Sequence, residues 1–245
     1  MSTSMNELCC GDNPEVLHRW LDYAYDMMRH PGKACQCEPY DNGGIRWPGY
    51  IGSDYCGVLF VGARHNANGL RDAGLTTNRP LRRYADELRS WSALQRTECG
   101  DRKMLDAMRC AYRDSYPLWA KRGVWKIFQC IRDSMCLNWD NVASVNLARC
   151  YLPEPGNDDE HIRSHSEHWS LGRIVKALQP SIVFVSKNNM ALRDKLPIVG
   201  EESENPLVVR YAGYFTGMRH GEDYKTWVPN EKAKWRGILD KRCSK

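Results

Sequence analysis

The chain has 245 residues, enough for one sizeable core, and 42% hydrophobic with 10% aromatic content excludes wholesale disorder. Its net charge of +5 is mildly basic, which permits a polyanionic partner without demanding one. No run of 18 apolar residues exists and Met1 to Glu7 lacks a basic-then-apolar pattern, so a cytoplasmic protein with no membrane partner is expected.

Asn13 and Pro14 predict the start of a helix, with Asn as cap and Pro in the first turn. Val16, Leu17, Trp20, Leu21, Ala24, Met27 and Met28 make its apolar face, and Pro31-Gly32 ends it. Residues 31–56 are rich in Cys, Gly and Pro and read as irregular. Gly57 to Gly62 is a short apolar strand that stops at a glycine, as strands of a parallel sheet do. Residues 79–135 read as helical, with breaks at Pro117 and Gly123. A strand follows over Val142–Leu147, then a helix through Trp169, Leu171, Ile174, Val175 and Leu178. Pro180–Ser186 and Leu207–Phe215 are further strands. The second runs into a loop over Thr216–Asp223, and a last helix covers roughly Asn230–Lys241.

Strand and helix alternate without internal repeats. The expected fold is therefore a single α/β domain, a three-layer α/β/α sandwich around a mostly parallel sheet, with an N-terminal helix and a helical insertion at 79–135. Active sites in such folds lie at the carboxyl ends of the strands. The loops after Val61, Leu147, Ser186 and Phe215 should then surround one crevice.

The strand that starts at Val142 brings Asn146 to its end; Cys150 follows four residues later, and Pro153 to Asn157 form a Pro/Gly loop. A carboxamide at a strand end can read both a donor and an acceptor on a planar heterocycle. A thiol just beyond it can anchor a metal or an iron–sulfur centre. This combination resembles the uracil-DNA glycosylase superfamily, especially its iron–sulfur-containing family-four branch. There, a strand ending in Asn-x-x-Lys/Arg-Cys precedes a Pro-Pro-Gly-Asn-like loop. The resemblance extends from Cys35 to about Leu239. Val58–Gly62 is similar to the strand entering the first catalytic motif, and Gly123–Phe128 through Val142 to the elements leading into the Asn segment. Leu171–Val185 is similar to the following helix and strand, Thr216–His220 falls at the second motif, and Lys232–Leu239 is similar to the closing helix.

Enzymes of this kind must flip the nucleotide and read the base edge with fixed donors and acceptors. The resemblance gives that role to Asn146, with Asn68 beside it; the alternative for Asn146 is a cap on a strand end. Relatives carry a carboxylate after the strand glycine, whereas this chain has Ala63-Arg64-His65-Asn66-Ala67-Asn68. His65 and Asn66 are the polar groups placed to orient water in its stead, or else they simply hold the turn. The second motif lacks its Pro-Ser pair, leaving His220 to stabilise the departing base and Arg219 to grip a phosphate, or else the two are simply a solvated loop pair. Arg64 and Lys225 join Arg219 as candidate DNA contacts, with Tyr214, Tyr224 and Trp227 as candidate stacking groups.

The 11 cysteines are an odd number, expected in this compartment as thiols or ligands rather than as a disulfide framework. Cys35, Cys37 and Cys150 fall where the resemblance implies cluster ligands. The fourth window contains no cysteine, but His165 or His168 can complete a Cys3His site. A 4Fe-4S cluster is the leading expectation, with zinc or no metal as alternatives, and Cys9-Cys10 as another ligand source. Cys56, Cys99, Cys110, Cys130 and Cys136 read as structural thiols.

The function implied is a DNA glycosylase that hydrolyses the N-glycosidic bond of a flipped pyrimidine. The altered motifs point to a modified base, such as the hydroxymethylated or glucosylated cytosines of phage DNA, and hence to antiviral defence; uracil is the simpler substrate. The competing readings are a non-catalytic nucleic-acid-binding protein on the same fold and a small-molecule N-glycoside hydrolase. The partner expected is DNA, double- or single-stranded, bound by a monomer.

Overall fold

The computed structural model describes residues 13–29, 49–62, 65–66, 96–119, 123–146, 151–152, 171–186, 207–211 and 223–243. These residues form an α/β fold around an open mixed sheet. The strands are β1 (Tyr50–Ile51), β2 (Val58–Gly62), β4 (Val142–Asn146), β6 (Ile182–Ser186) and β7 (Leu207–Tyr211), in the order β1-β4-β2-β6-β7. Two further strands, β3 (His65–Asn66) and β5 (Tyr151–Leu152), make a separate two-stranded ribbon. The helices are α1 (Pro14–Arg29), α2 (Glu98–Trp119), α3 (Gly123–Ser134), α4 (Leu171–Leu178) and α5 (Asp223–Cys243).

β4, β2, β6 and β7 run parallel, and β1 lies antiparallel against β4 at one edge. Period-two alternation then sorts the strand residues into two sets. Leu59, Val61, Ala143, Val145 and Val183 pack with buried residues of α1, α2 and α4. Val58, Phe60, Val142, Ile182 and Phe184 pack with Phe128 and Ile131 of α3 and with Val228, Trp235 and Leu239 of α5. β2 is buried along its whole length. Phe60 is the hub of the second cluster, stacked on Phe128 at 4.6 Å and on Phe184 at 5.4 Å, with Trp235 edge-on to Phe184 at 4.9 Å.

Local chemistry fixes the ends of these elements. The Asn13 side chain accepts from the backbone N–H groups of Glu15 and Val16, the expected cap of α1. Arg19 of α1 donates to the carbonyl of Ala177 at 3.2 Å, satisfying an orphan group at the end of α4, and Arg173 pairs with Asp26 in return. α3 ends in a Schellman turn: Leu137 N–H bonds to Arg132 O and Cys136 N–H to Asp133 O, with Cys136 left-handed at φ 57°. Arg96 pairs with Asp101 and Asp22 and lies over the Tyr25 ring. Burial acts to lower its pKa, but hydrogen bonding and attraction to these carboxylates outweigh that and hold it above the usual guanidinium value.

The entry to β4 is clasped by the segment before β2. Asn138 and Asn141 cap the 3₁₀ turn Trp139–Asn141 reciprocally. Gly52, Asp54 and Cys56 donate their N–H groups to the carbonyls of Val142, Asp140 and Asn141 at 2.7–2.9 Å. Tyr50 Oη donates to Trp139 O at 2.8 Å, and Arg109 Nε reaches across from α2 to Ile51 O.

Several boundaries differ from the sequence expectation. Pro117 does not break the helix: α2 runs two residues past it, since a proline in a final turn removes only one backbone bond. α5 begins at Asp223 rather than near Asn230 and continues through Pro229. The reason is its apolar face. Val228, Trp235 and Leu239 recur at helical spacing on both sides of the proline and are buried together, which outweighs one lost bond. Lys225, expected in a loop, is therefore in the first turns of α5. The region 31–56, read as irregular, contains β1. Cys56 is a buried thiol as expected, but Cys99, Cys110 and Cys136, expected as structural thiols, are exposed. Among the described residues no helix is long and apolar enough to cross a membrane.

The clasp makes one position critical. A Cβ on Gly52 would collide with the backbone carbonyls of Asp140 and Trp139, which no side-chain adjustment can relieve. Gly52→Ala should destabilise the fold by about 3 kcal/mol or more, read from the urea unfolding midpoint. A loss below about 1 kcal/mol would show that the segment yields readily.

Candidate functional site

The parallel register brings the carboxyl ends of four strands to one rim. Val61 pairs with Val145 on one side and Val185 on the other, and Gly62 is level with Asn146. Ser186 is level with Tyr211. Strand order reverses at β2: the chain passes from β2 to β4 on one side, returns past β2 to β6, and continues outward to β7. This is the topological switch point at which open α/β sheets form their ligand crevice, and here it falls between Gly62 and Ser186.

Beyond the rim the exits of β2 and β4 pair again. His65 is level with Tyr151 and Asn66 with Leu152, again in parallel. Two residues separate β2 from β3, and four separate β4 from β5. The segment with His65 and Asn66 and the segment that follows Asn146 are thus held side by side by backbone pairing. The sequence predicted turn for the first and a Pro/Gly loop for the second. Two-residue strands carry no readable period, which is why neither was visible.

The base of this rim is closely packed. Val61 and Val145 are buried among α1, α2 and α4, while Phe60 and Phe184 are stacked on the opposite side. Ser144, two residues before Asn146, is also buried.

Of the residues singled out from the sequence, the structure brings His65, Asn66 and Asn146 to this rim. Lys225 is at the start of α5. Arg64, Asn68, Arg219, His220, Cys35, Cys37, Cys150, His165 and His168 lie outside the described residues. Among the described residues no three His, Cys, Asp or Glu side chains are grouped to hold a metal ion. Sequence reasoning gave no role to Ser186 and Tyr211, which end β6 and β7 at the same rim. The available signal was a polar residue closing each apolar run. A shallow cleft with room for little more than one water (about 10 Å³), lined by Cys56, Met135, Leu137, Arg236, Leu239 and Asp240, lies at the amino end of β2, away from the rim.

No protein-family model matches this chain, and no curated protein matches it. Any functional reading rests on the rim and its residues.

Proposed function

We propose that this chain is a DNA glycosylase on a three-layer α/β/α sandwich of the uracil-DNA glycosylase type, hydrolysing the N-glycosidic bond of a flipped pyrimidine. The observation that carries the reading is the paired exit of β2 and β4. Gly62 is level with Asn146 and His65 with Tyr151, so a base-reading amide and a water-orienting segment share one edge at a switch point. That the four parallel strands follow the order β4-β2-β6-β7 supports it further, because the segment with the expected first motif becomes the central strand.

Cleavage leaves positive charge on the sugar and negative charge on the departing base, so the site needs unlike groups on its two sides. Asn146 and Asn68 bind the edge of the flipped base through amide donors and acceptors. His65 and Asn66 hold the attacking water, the imidazole taking its proton near neutral pH. His220 donates a hydrogen bond to the leaving base, and Arg64, Arg219 and Lys225 hold flanking phosphates. The absence of a carboxylate from residues 63–68 sets the runner-up, a non-catalytic nucleic-acid-binding protein on the same fold. The altered motifs favour a modified cytosine over uracil and, with it, a role against phage DNA in the cytoplasm. Cys35, Cys37 and Cys150, completed by His165 or His168, would hold a 4Fe-4S cluster or zinc that ties the N-terminal segment to the sheet.

Asn146→Ala tests the base-reading role. Removing an amide that the substrate must satisfy should cost about 3 kcal/mol, near a hundredfold in single-turnover rate, with the melting temperature unchanged. Activity within a few fold of the parent would make Asn146 a strand cap only. For the metal centre, anaerobically purified protein should contain iron, or zinc in its place, and lose it on Cys150→Ser. Protein with neither metal would remove the centre from the account.

A further inference from the structure

The two sides of α5 differ in chemistry. Val228, Trp235 and Leu239, spaced seven and four residues apart, form its buried side. Asn230, Lys234, Gly237 and Lys241, spaced four, three and four apart, lie along the opposite side, where Asn230, Lys234 and Lys241 are exposed. That side carries no carboxylate. The flanks hold Lys232 and Arg236 against Glu231 and Asp240 and balance in charge. Glu231 approaches Lys234 only to 4.0 Å, with the lysine side chain 63% exposed, and so solvated a pair holds the ammonium weakly. At Gly237 an added Cβ would meet nothing within 4 Å, so no packing inside the chain requires a glycine in this helix interior.

α5 also has a direction relative to the rim. Trp235 stands edge-on to Phe184 in the middle of β6, and Leu239 lines the cleft at the amino end of β2. The helix therefore runs away from the rim, with Lys234 and Lys241 about 10 Å apart along it. We propose that this outer side of α5 is a docking surface for the backbone of DNA that flanks the rim. Each strand of a duplex presents a phosphate about every 3.4 Å, so two lysines in line meet several anions over that distance. Lys234 and Lys241 neutralise phosphates, Asn230 donates to one through its amide, and the sugar–phosphate chain comes close at Gly237. The exposed side of α1 carries Glu15, His18 and Asp22 instead, so the row of cations is particular to α5. This inference rests on DNA as the proposed partner, and its readout is binding rather than base release.

The test is the affinity for an unmodified duplex that extends beyond the rim on both sides, measured by fluorescence anisotropy across a range of salt concentrations. Lys234→Gln combined with Lys241→Gln should weaken binding about tenfold at low salt and lower the slope of log affinity against log salt by about 1.8. Lys103→Gln combined with Lys176→Gln makes the same change of charge on exposed residues of α2 and α4, and should leave affinity within about twofold. Gly237→Leu should weaken binding without lowering the melting temperature. An unchanged salt slope in the Lys234 and Lys241 variant, or equal losses in the two double variants, would overturn the surface. Self-association of the parent that the Lys234 and Lys241 variant abolishes, with DNA binding intact, would overturn DNA as the occupant in favour of a second copy of the chain. Base release is followed in parallel. A parent protein that binds through α5 yet releases no base would sink the glycosylase reading and leave this surface standing. One that releases base while the variant binds as tightly as the parent would overturn the surface alone.

Discussion

The architecture depends on the parallel pairing of β2 with β4 and β6. Val58–Gly62 is buried on both faces and hydrogen-bonded on both sides, a position that only a fully apolar strand can occupy without unsatisfied side chains. Its side chains divide the core into two clusters, one under α1, α2 and α4 and one under α3 and α5. Its register aligns the neighbouring strand ends. Gly62 closes its carboxyl end, level with Asn146.

A second constraint sets where β4 begins. The Asn138–Asn141 turn and the three backbone bonds from Gly52, Asp54 and Cys56 hold residues 138–142 against the segment entering β2. Both partners of the central pair are anchored at their amino ends by the same clasp, so Gly62 and Asn146 are level at the far ends of two five-residue strands. Rigid strands aimed at a common edge are what a base-reading site requires, because an amide misplaced by a fraction of a hydrogen-bond length loses its discrimination.

How far this was legible in the sequence follows from the physical signals available. The four parallel strands are short apolar runs closed by Gly or a polar residue, and their positions were readable to within a few residues. Asn146 at the end of β4 was readable for the same reason. β1, β3 and β5 span two residues each, too short for any period, so the antiparallel edge and the ribbon carrying His65 and Asn66 could not be foreseen. Pro229 concealed the first two turns of α5, because a local breaker signal is weaker than burial of Val228 with Trp235. That β6 and β7 end at the same rim as Asn146 is a property of strand register, which single-strand patterns do not encode.

The central claim is that this rim cleaves a base from DNA, and the released base itself is the most direct readout. Purified protein would be incubated with genomic DNAs containing unmodified, hydroxymethylated or glucosylated cytosine, and with uracil-containing DNA, and the low-mass fraction identified by mass spectrometry. The account predicts a free pyrimidine base from a modified DNA together with alkali-labile sites on the strand. Salt-dependent DNA binding with no free base from any of these DNAs would contradict it and leave a binding protein on this fold.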